Sequence, residues 1–318
     1  MIIELWGVRG SLPSPTGNAE YRLKLREILQ MAIEKKLRSL DDIEPFLSAL
    51  PHSLQYVYGG NTTCVSVHSK SGRLYILDCG TGVRTLGDIL MKGNASKGKE
   101  KIDIFITHTH WDHIQGIPFF KPLYIPGNTA TFHSGIPDLH ERLQYQQTER
   151  FFPVPFDGMA AEKSFVLMAE GKKIELEPWL TVECCRIKHP GGSMAYRFNE
   201  NGKSFVFATD AEFTGEYLEQ MKPEQDAFFT GAELLIIDSQ YTLNEAFKKF
   251  DWGHTSYTMA VNCAVRWNAR HLVLTHHEPA YFDDKLETIS FEAVDHRNAL
   301  QSDFPVVHMA REGMRFVL

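Results

Sequence analysis

A run of seven residues reading Thr-His-Thr-His-Trp-Asp-His carries the side chains best suited to chemistry in this sequence, and it follows an apolar strand pattern. Alternation along an extended chain places His108 and His110 on one side, and a turn after them can bring Asp112 and His113 toward the same point. Imidazole nitrogens and carboxylate oxygens are the ligands that zinc and similar divalent metals prefer. Four such groups this close together favour two adjacent metal ions over one.

Three further polar residues, His189, Asp210 and His276, each follow an apolar strand pattern. Side chains at the ends of buried strands are held rigidly, as a preorganised metal site requires. Taken singly, each such residue is more often an ordinary polar residue at a strand end. Together with the first cluster, however, they supply enough ligands for a site with two metals.

His254 is a candidate of a different kind, because it lies at the start of a helical pattern rather than after a strand. A helix N-terminus favours anions, and a histidine there can meet a phosphate and protonate its leaving oxygen. The alternative is a histidine that caps the helix or packs in the core. His277 should face away from its neighbour His276 if the strand alternation continues.

The elements that must position these residues are short strands mixed with helices, which is typical of an α/β chain with helices outside its sheets. Apolar patterns bounded by glycine or proline predict strands at 2–8, 63–68, 73–78, 102–107, 129–133, 172–176, 180–187, 194–198, 204–208, 233–237 and 271–275. Helical periodicity is found at 18–38, 136–148, 254–268 and 283–300. There is no internal repeat and no clear linker, so we expect one domain over 1–318.

Residues 18–50 look like a helical insertion into this scheme. Tyr21, Leu25 and Leu29 belong to an apolar stripe at helical spacing, which predicts a helix packed on the body of the protein. The alternatives are a lid over the site and a contact between two copies in a homodimer. A second irregular segment, the aromatic stretch 151–156, is explained equally well as the lining of a substrate pocket and as buried loop packing.

Composition narrows the class of protein. The net charge is −7 and the pI is near 6.1, so nothing global attracts the chain to nucleic acid or to an anionic membrane. No apolar run approaches the roughly 18 residues that a transmembrane helix needs, and the N-terminus lacks the pattern of a secretory signal. Five scattered cysteines form no disulfide framework, and buried thiols are expected at Cys184 and Cys185. The cytoplasm is the expected location.

The order of these motifs resembles that of the metallo-β-lactamase-fold hydrolases, and most closely the phosphodiesterase branch that contains ribonuclease Z and the cyclic-phosphate phosphodiesterase of phosphonate breakdown. The match spans residue 2 to about residue 280, except for the insertion. The fold that it implies is a four-layer αββα sandwich of two mixed β-sheets flanked by helices. The supporting motifs are Gly-Val-Arg-Gly-Ser at 7–11, Tyr-Gly-Gly-Asn-Thr-Thr-Cys at 58–64, Leu-Asp-Cys-Gly-Thr-Gly at 77–82 and Trp-Gly-His-Thr-Ser at 252–256.

The resemblance also implies a cofactor of two divalent metal ions per chain, with zinc as the default metal and manganese or iron as alternatives. It makes His254 and Asp112 the candidate catalytic residues, and Asp78 a residue that orients a ligand or a loop. The metal ligands that it implies are His108, His110 and His189 for one ion, Asp112, His113 and His276 for the other, and Asp210 as the bridge between them.

The leading hypothesis is a phosphodiesterase for a small phosphodiester or cyclic (nucleotide) phosphate, in which a hydroxide that bridges the metals attacks phosphorus and His254 assists departure. Hydrolysis of a carbonyl substrate such as a thioester, lactone or β-lactam is the alternative, and a metal-binding protein without catalysis is a third hypothesis. The ribonuclease Z enzymes carry an RNA-gripping arm between the third histidine and the bridging aspartate. Here His189 and Asp210 are only 21 positions apart, so we expect no long nucleic acid as a partner.

Overall fold

The computed structural model describes all 318 residues and contains two seven-stranded sheets. The strands of the first sheet are β1 (Ile2–Gly7), β2 (Cys64–His68), β3 (Leu74–Leu77), β4 (Lys101–Phe105), β5 (Thr129–Ser134), β6 (Glu162–Leu167) and β14 (Arg315–Val317), in the spatial order β14-β1-β2-β3-β4-β5-β6. Those of the second sheet are β7 (Ile174–Glu177), β8 (Leu180–Ile187), β9 (Ser193–Glu200), β10 (Lys203–Ala208), β11 (Leu234–Asp238), β12 (His271–Thr275) and β13 (Val306–Met309), in the order β13-β12-β11-β10-β9-β8-β7.

Eleven α-helices connect and cover these strands. In chain order they are α1 (Asn18–Glu34), α2 (Ile43–Ser48), α3 (His52–Gln55), α4 (Gly82–Leu90), α5 (Trp111–Ile114), α6 (Leu139–Gln146), α7 (Gly215–Gln220), α8 (Pro223–Phe229), α9 (Leu243–Lys248), α10 (Tyr257–Arg266) and α11 (Asp283–Ala299). None of them combines the length and the apolar character that crossing a bilayer demands.

The hydrophobic core lies in three layers, which define a four-layer αββα sandwich. The central layer joins the two sheets, with Phe105 from the first sheet packed in one cluster with Phe207 of the second. A second cluster joins the first sheet to α4 through Leu86, and a third joins the second sheet to α10 and α11. Both sheets contain parallel and antiparallel pairs. The fold predicted from the motifs is confirmed.

Strand direction brings several chain segments to one edge of the second sheet. The strands β10, β11 and β12 run parallel to one another, and β8 runs the same way because it is separated from β10 by the antiparallel β9. The carboxyl ends of all four strands therefore meet at the same edge. The segments that carry His189, Asp210, Asp238 and His276 lie there.

The three strands that the sequence did not predict all lie at sheet edges. They are β6, β13 and β14, and each forms the outermost strand of its sheet. An edge strand is half exposed and lacks the continuous apolar signal of a central strand. The helix α4 and the short helices α3, α5, α7, α8 and α9 were also missed, whereas the four predicted helices are present and their ends differ from the predicted ones by at most four residues.

The 18–50 insertion is helical, as expected, but its apolar stripe is not buried. No residue of α1 is buried, and the side chain of Leu29 is 62% exposed. The helix is tied to the body by polar contacts instead, since Lys24 Nζ donates to the carboxylate of Asp283 and to the carbonyl oxygen of Tyr56. The prediction that the stripe packs on the protein's own body is therefore wrong, because the insertion lies outside the three core layers.

Candidate metal centre

The structure brings all seven predicted metal ligands together in two overlapping groups. His108, His110 and His189 form the first with Asp210, and the nitrogen and oxygen atoms of the group lie within 4.8 Å of one another. The second group meets the same criterion and consists of Asp112, His113, His276 and, again, Asp210. All members are buried except His110, which faces the cleft.

Asp210 faces both groups, with a different oxygen toward each. Its Oδ1 lies 3.1 Å from His113 Nε2 and 3.0 Å from His276 Nε2. Its Oδ2 lies 3.6 Å from His108 Nε2 and 3.8 Å from His189 Nε2. A carboxylate in this position can share its two oxygens between two cations, which is the role that the resemblance implied for it.

Hydrogen bonds behind the ligands fix which ring nitrogen faces the centre. Asp78 Oδ2 lies 2.8 Å from His113 Nδ1, and the carbonyl oxygen of Gly253 lies 2.8 Å from His189 Nδ1. Both partners accept from Nδ1–H and leave Nε2 free for a metal, as the outer partners of metal-binding histidines usually do. Gly253 has φ +92°, and a Cβ there would lie 2.5 Å from the His189 ring, so only glycine allows this approach.

Three buried nitrogens of the cluster have no hydrogen-bond partner: His108 Nε2, His113 Nε2 and His276 Nδ1. An unpaired polar atom in a protein interior costs about 1–3 kcal/mol. The two Nε2 atoms face oxygens of Asp210 without forming a hydrogen bond, and His276 Nδ1 lies 3.9 Å from Asp238 Oδ2. Divalent cations bound between these groups would satisfy the nitrogens and the carboxylates together, so the residues fit the metals that the sequence implied.

The charges of the cluster also suit cations. Burial opposes the protonation of His276, but Asp210 and Asp112 outweigh it and raise the pKa of His276 to about 10. Burial likewise opposes the ionisation of Asp210, yet neighbouring imidazoles hold its pKa well below the usual value. At His108 and His189, burial prevails and lowers the pKa, so both rings keep a free lone pair. The site thus favours positive charge beside its carboxylates and offers neutral nitrogen ligands opposite them.

His254 lies beside this cluster and is bound by a residue that the sequence analysis missed. Asp238, the last residue of β11, places Oδ2 2.7 Å from His254 Nδ1, and the His254 ring stacks on that of His276 with centroids 4.9 Å apart. The same Asp238 oxygen is 3.9 Å from His276 Nδ1. The sequence could have revealed Asp238, because this carboxylate comes directly after an apolar run, just as Asp210 follows the apolar pattern of β10.

The other residues singled out in the sequence lie outside the two ligand groups. His277 faces away from the cluster, and its Nε2–H donates to the carbonyl oxygen of Ala310 at 2.8 Å. Asp78 is buried and also accepts from the backbone N–H of Thr107 at 2.8 Å, so it orients the ligand loop rather than joining the ligands. Cys184 and Cys185 are buried free thiols, as expected. In the aromatic stretch 151–156, Phe151 and Phe152 line a surface cavity, whereas Phe156 is buried in the core.

Comparison with known proteins agrees with this geometry. The family model described as beta-lactamase superfamily domain matches residues 73–277. A protein named ribonuclease Z from Prochlorococcus marinus (strain MIT 9301) is 23% identical over 303 residues, which cover 77% of this chain and 89% of that protein.

Two solved structures share the fold across nearly the whole chain. The metallo-beta-lactamase fold protein YhfI from Bacillus subtilis has a TM-score of 0.64 and 15% identity, covering 99% of this chain and 98% of that one. The short form of human tRNase Z has a TM-score of 0.59 and 17% identity, covering 100% and 99%. The resemblance inferred from the motifs is thereby confirmed. The chain belongs to the beta-lactamase superfamily domain family, in the hydrolase branch that contains ribonuclease Z.

Proposed function

We propose that this protein is a dinuclear metal-dependent phosphodiesterase that acts on a small phosphodiester or cyclic nucleotide phosphate. The observation that carries the proposal is the position of Asp210 between two complete ligand groups, with the His254–Asp238 pair beside them. Both groups open on one pocket of about 390 Å³, whose lining includes Ser11, Asp112 and His254. A phosphoryl group in that pocket would touch the metal ligands on one side and His254 on the other.

The proposed ligand sets are those that the sequence implied, with Asp210 common to both, and zinc is the proposed metal because histidine and aspartate dominate. Divalent ions bound there would activate a water nucleophile and neutralise charge on a phosphoryl group. The protein's own contribution is to hold the ligands before the metals arrive. Asp78 fixes the ring of His113, and the carbonyl oxygen of Gly253 fixes that of His189.

His254 is the proposed general acid. Its Nδ1 is held by Asp238, so Nε2 is the nitrogen left to carry a proton to the leaving oxygen. Asp238 orients the ring as the third member of such arrangements commonly does. A thioester, whose thiolate departs readily, has less need of this acid, and for that reason we favour phosphorus over a thioester.

A small substrate is proposed, although the relatives described above are named ribonucleases. The chain between His189 and Asp210 forms the hairpin of β9 and β10, closed by a tight turn at Asn201 and Gly202. This hairpin belongs to the second sheet, so the interval contains no projecting arm. The net charge of −7 also lacks the basic footprint that long nucleic acid requires.

The test is a kinetic screen of zinc-reconstituted protein against bis-p-nitrophenyl phosphate, cyclic nucleotides, a thioester and a lactone, together with elemental analysis. We expect two metal ions per chain and turnover of the phosphodiesters well above that of the carbonyl substrates. Faster hydrolysis of the thioester or lactone would replace phosphodiester hydrolysis with carbonyl chemistry. Saturation at one ion would contradict the dinuclear centre, and full metal occupancy without any turnover would leave a metal-binding protein.

A further inference from the structure

A second cavity, of about 700 Å³, lies directly beside the pocket of the metal cluster. The two share Thr109 and Trp111, which alternate with the predicted ligands along the chain. The short helix α5 thus has two sides, since it buries Asp112 and His113 in the cluster and leaves Trp111 78% exposed in the cleft. A substrate whose phosphorus lies at the cluster therefore has its neighbouring group within reach of this second cavity.

Four of the eleven residues that line the cavity are aromatic. They are Trp111 on α5, Tyr145 at the end of α6, and Phe151 and Phe152 after it. Tyr145 and Phe151 are 70% and 68% exposed, although they contact each other edge to face with centroids 6.3 Å apart. Flat, solvent-facing rings around an open space are suited to a flat ligand, because base–aromatic stacking needs an accessible ring face.

Polar groups lie among these rings and distinguish the cavity from a site for a hydrocarbon chain. Arg142 Nη1 donates to Thr109 Oγ1 at 3.0 Å, and Gln146 Nε2 donates to the carbonyl oxygen of Ile114 at 3.0 Å. The other amide atom, Gln146 Oε1, is buried and has no hydrogen-bond partner. Gln146 lines the cavity, and its amide can pair with the polar edge of a nucleobase, which an acyl chain lacks.

We infer that this cavity binds the base of a nucleotide-derived phosphodiester while the phosphate occupies the metal cluster. The inference rests on the proposed function, because it states which organic group the substrate of that site carries and in which cavity that group binds. The volume lies within the range of about 300–1,000 Å³ that is usual for small-molecule sites. Trp111, Tyr145 and Phe151 would stack on the base, and Gln146 would read its edge.

Calorimetric titration of zinc-loaded protein with AMP and with ribose 5-phosphate isolates the contribution of the base. We expect AMP to bind at least tenfold more tightly. Phe151→Ala should weaken AMP binding by about 5- to 150-fold, the usual effect of removing one stacked ring, and should leave ribose 5-phosphate binding in place. Tyr145→Ala should act in the same direction, with Tyr145→Phe retaining AMP affinity. The matched control is Phe291→Ala, which removes a ring that is 65% exposed on α11, away from the cavity.

Equal affinity for AMP and ribose 5-phosphate would overturn the inference, as would an unchanged AMP affinity in both alanine variants. Tighter binding of octyl phosphate than of AMP would show an acyl-chain site instead. Hydrolysis of bis-p-nitrophenyl phosphate by the same wild-type preparation distinguishes failure of this inference from failure of the proposed function. If the diester is hydrolysed but the base adds no affinity, this inference alone fails. If the base adds affinity and no diester is hydrolysed, the cavity stands as a nucleotide site and the proposed function fails.

Discussion

The edge of the second sheet that carries the metal cluster and the 18–50 insertion differ in the kind of side chain that they bury. At the edge, ionisable side chains such as Asp210 and His276 are almost completely buried. In the insertion, apolar side chains such as Leu29 and Ile33 face solvent. Burying a charge is costly unless it is paired, whereas an exposed leucine costs little by comparison.

The difference shows which region the fold constrains. Buried polar groups at the edge pair with residues of other chain segments, as Asp210 does with His113 and His276, so a change at one position leaves the others unpaired. The exposed residues of α1 lack such partners, and single changes there should have small effects on the monomer.

Asp210→Ala should have the largest effect, because it removes the carboxylate that both ligand groups share. We expect both metals to bind more weakly and phosphodiester turnover to fall by more than about 100-fold, the upper end of the loss when only an outer partner of a metal ligand is removed. Elemental analysis and steady-state kinetics measure this, with the exposed Asp41→Ala as control. Turnover near that of the wild type would mean that the centre is wrongly assigned.

His254→Ala should retain both metals and reduce turnover by about 10²–10⁴-fold, the usual contribution of a general acid. The loss should be largest on alkyl phosphodiesters and smaller on p-nitrophenyl esters, because p-nitrophenolate departs readily without a proton. His52→Ala, at an exposed histidine, is the control. An equal loss on both substrate types would assign positioning or charge stabilisation to His254, and no loss would make it a structural residue.

Asp238→Asn should reduce turnover by about 10- to 100-fold, the range for partners that orient a metal ligand or its neighbours. The amide keeps the size of the side chain but loses the charge that holds His254 Nδ1–H. The effect should shrink in the His254→Ala background, since the residue acts through that ring. Asp251→Asn, at a nearby exposed carboxylate that pairs with Lys188, is the matched control. Additive losses in the double variant would contradict the proposed coupling.

Leu29→Ser should change the free energy of unfolding by less than about 0.5 kcal/mol, as is usual for exposed positions. Phe207→Ala, between the two sheets, should cost about 3–5 kcal/mol. Urea denaturation of both variants measures the contrast. If Leu29→Ser is strongly destabilising, or converts a sedimenting dimer to a monomer, the exposed face of α1 is covered by a second copy in solution, and the homodimer considered for the insertion gains direct support.

The fold was predictable because its central strands carry continuous apolar patterns that end in polar residues. The strands β4, β10 and β12 are followed by His108, Asp210 and His276, and this local order was visible in the sequence. The outer strands β6, β13 and β14 were not, because a half-exposed strand is defined by the neighbour that it pairs with. Short helices such as α7 and α8 likewise contain too few turns to show a clear period.

Residue type and local periodicity are properties of the chain, so the sequence was enough to predict which residues could bind metals and which fold would carry them. How these residues are divided between two ligand groups depends on the tertiary structure. It divided the two oxygens of Asp210 between two groups, placed Asp238 behind His254 across 16 positions of sequence, and brought Phe151 and Trp111 to the lining of one cavity. It also left the stripe of α1 in solvent. Each of these depends on contacts between distant segments, and no local pattern specifies which segments will meet.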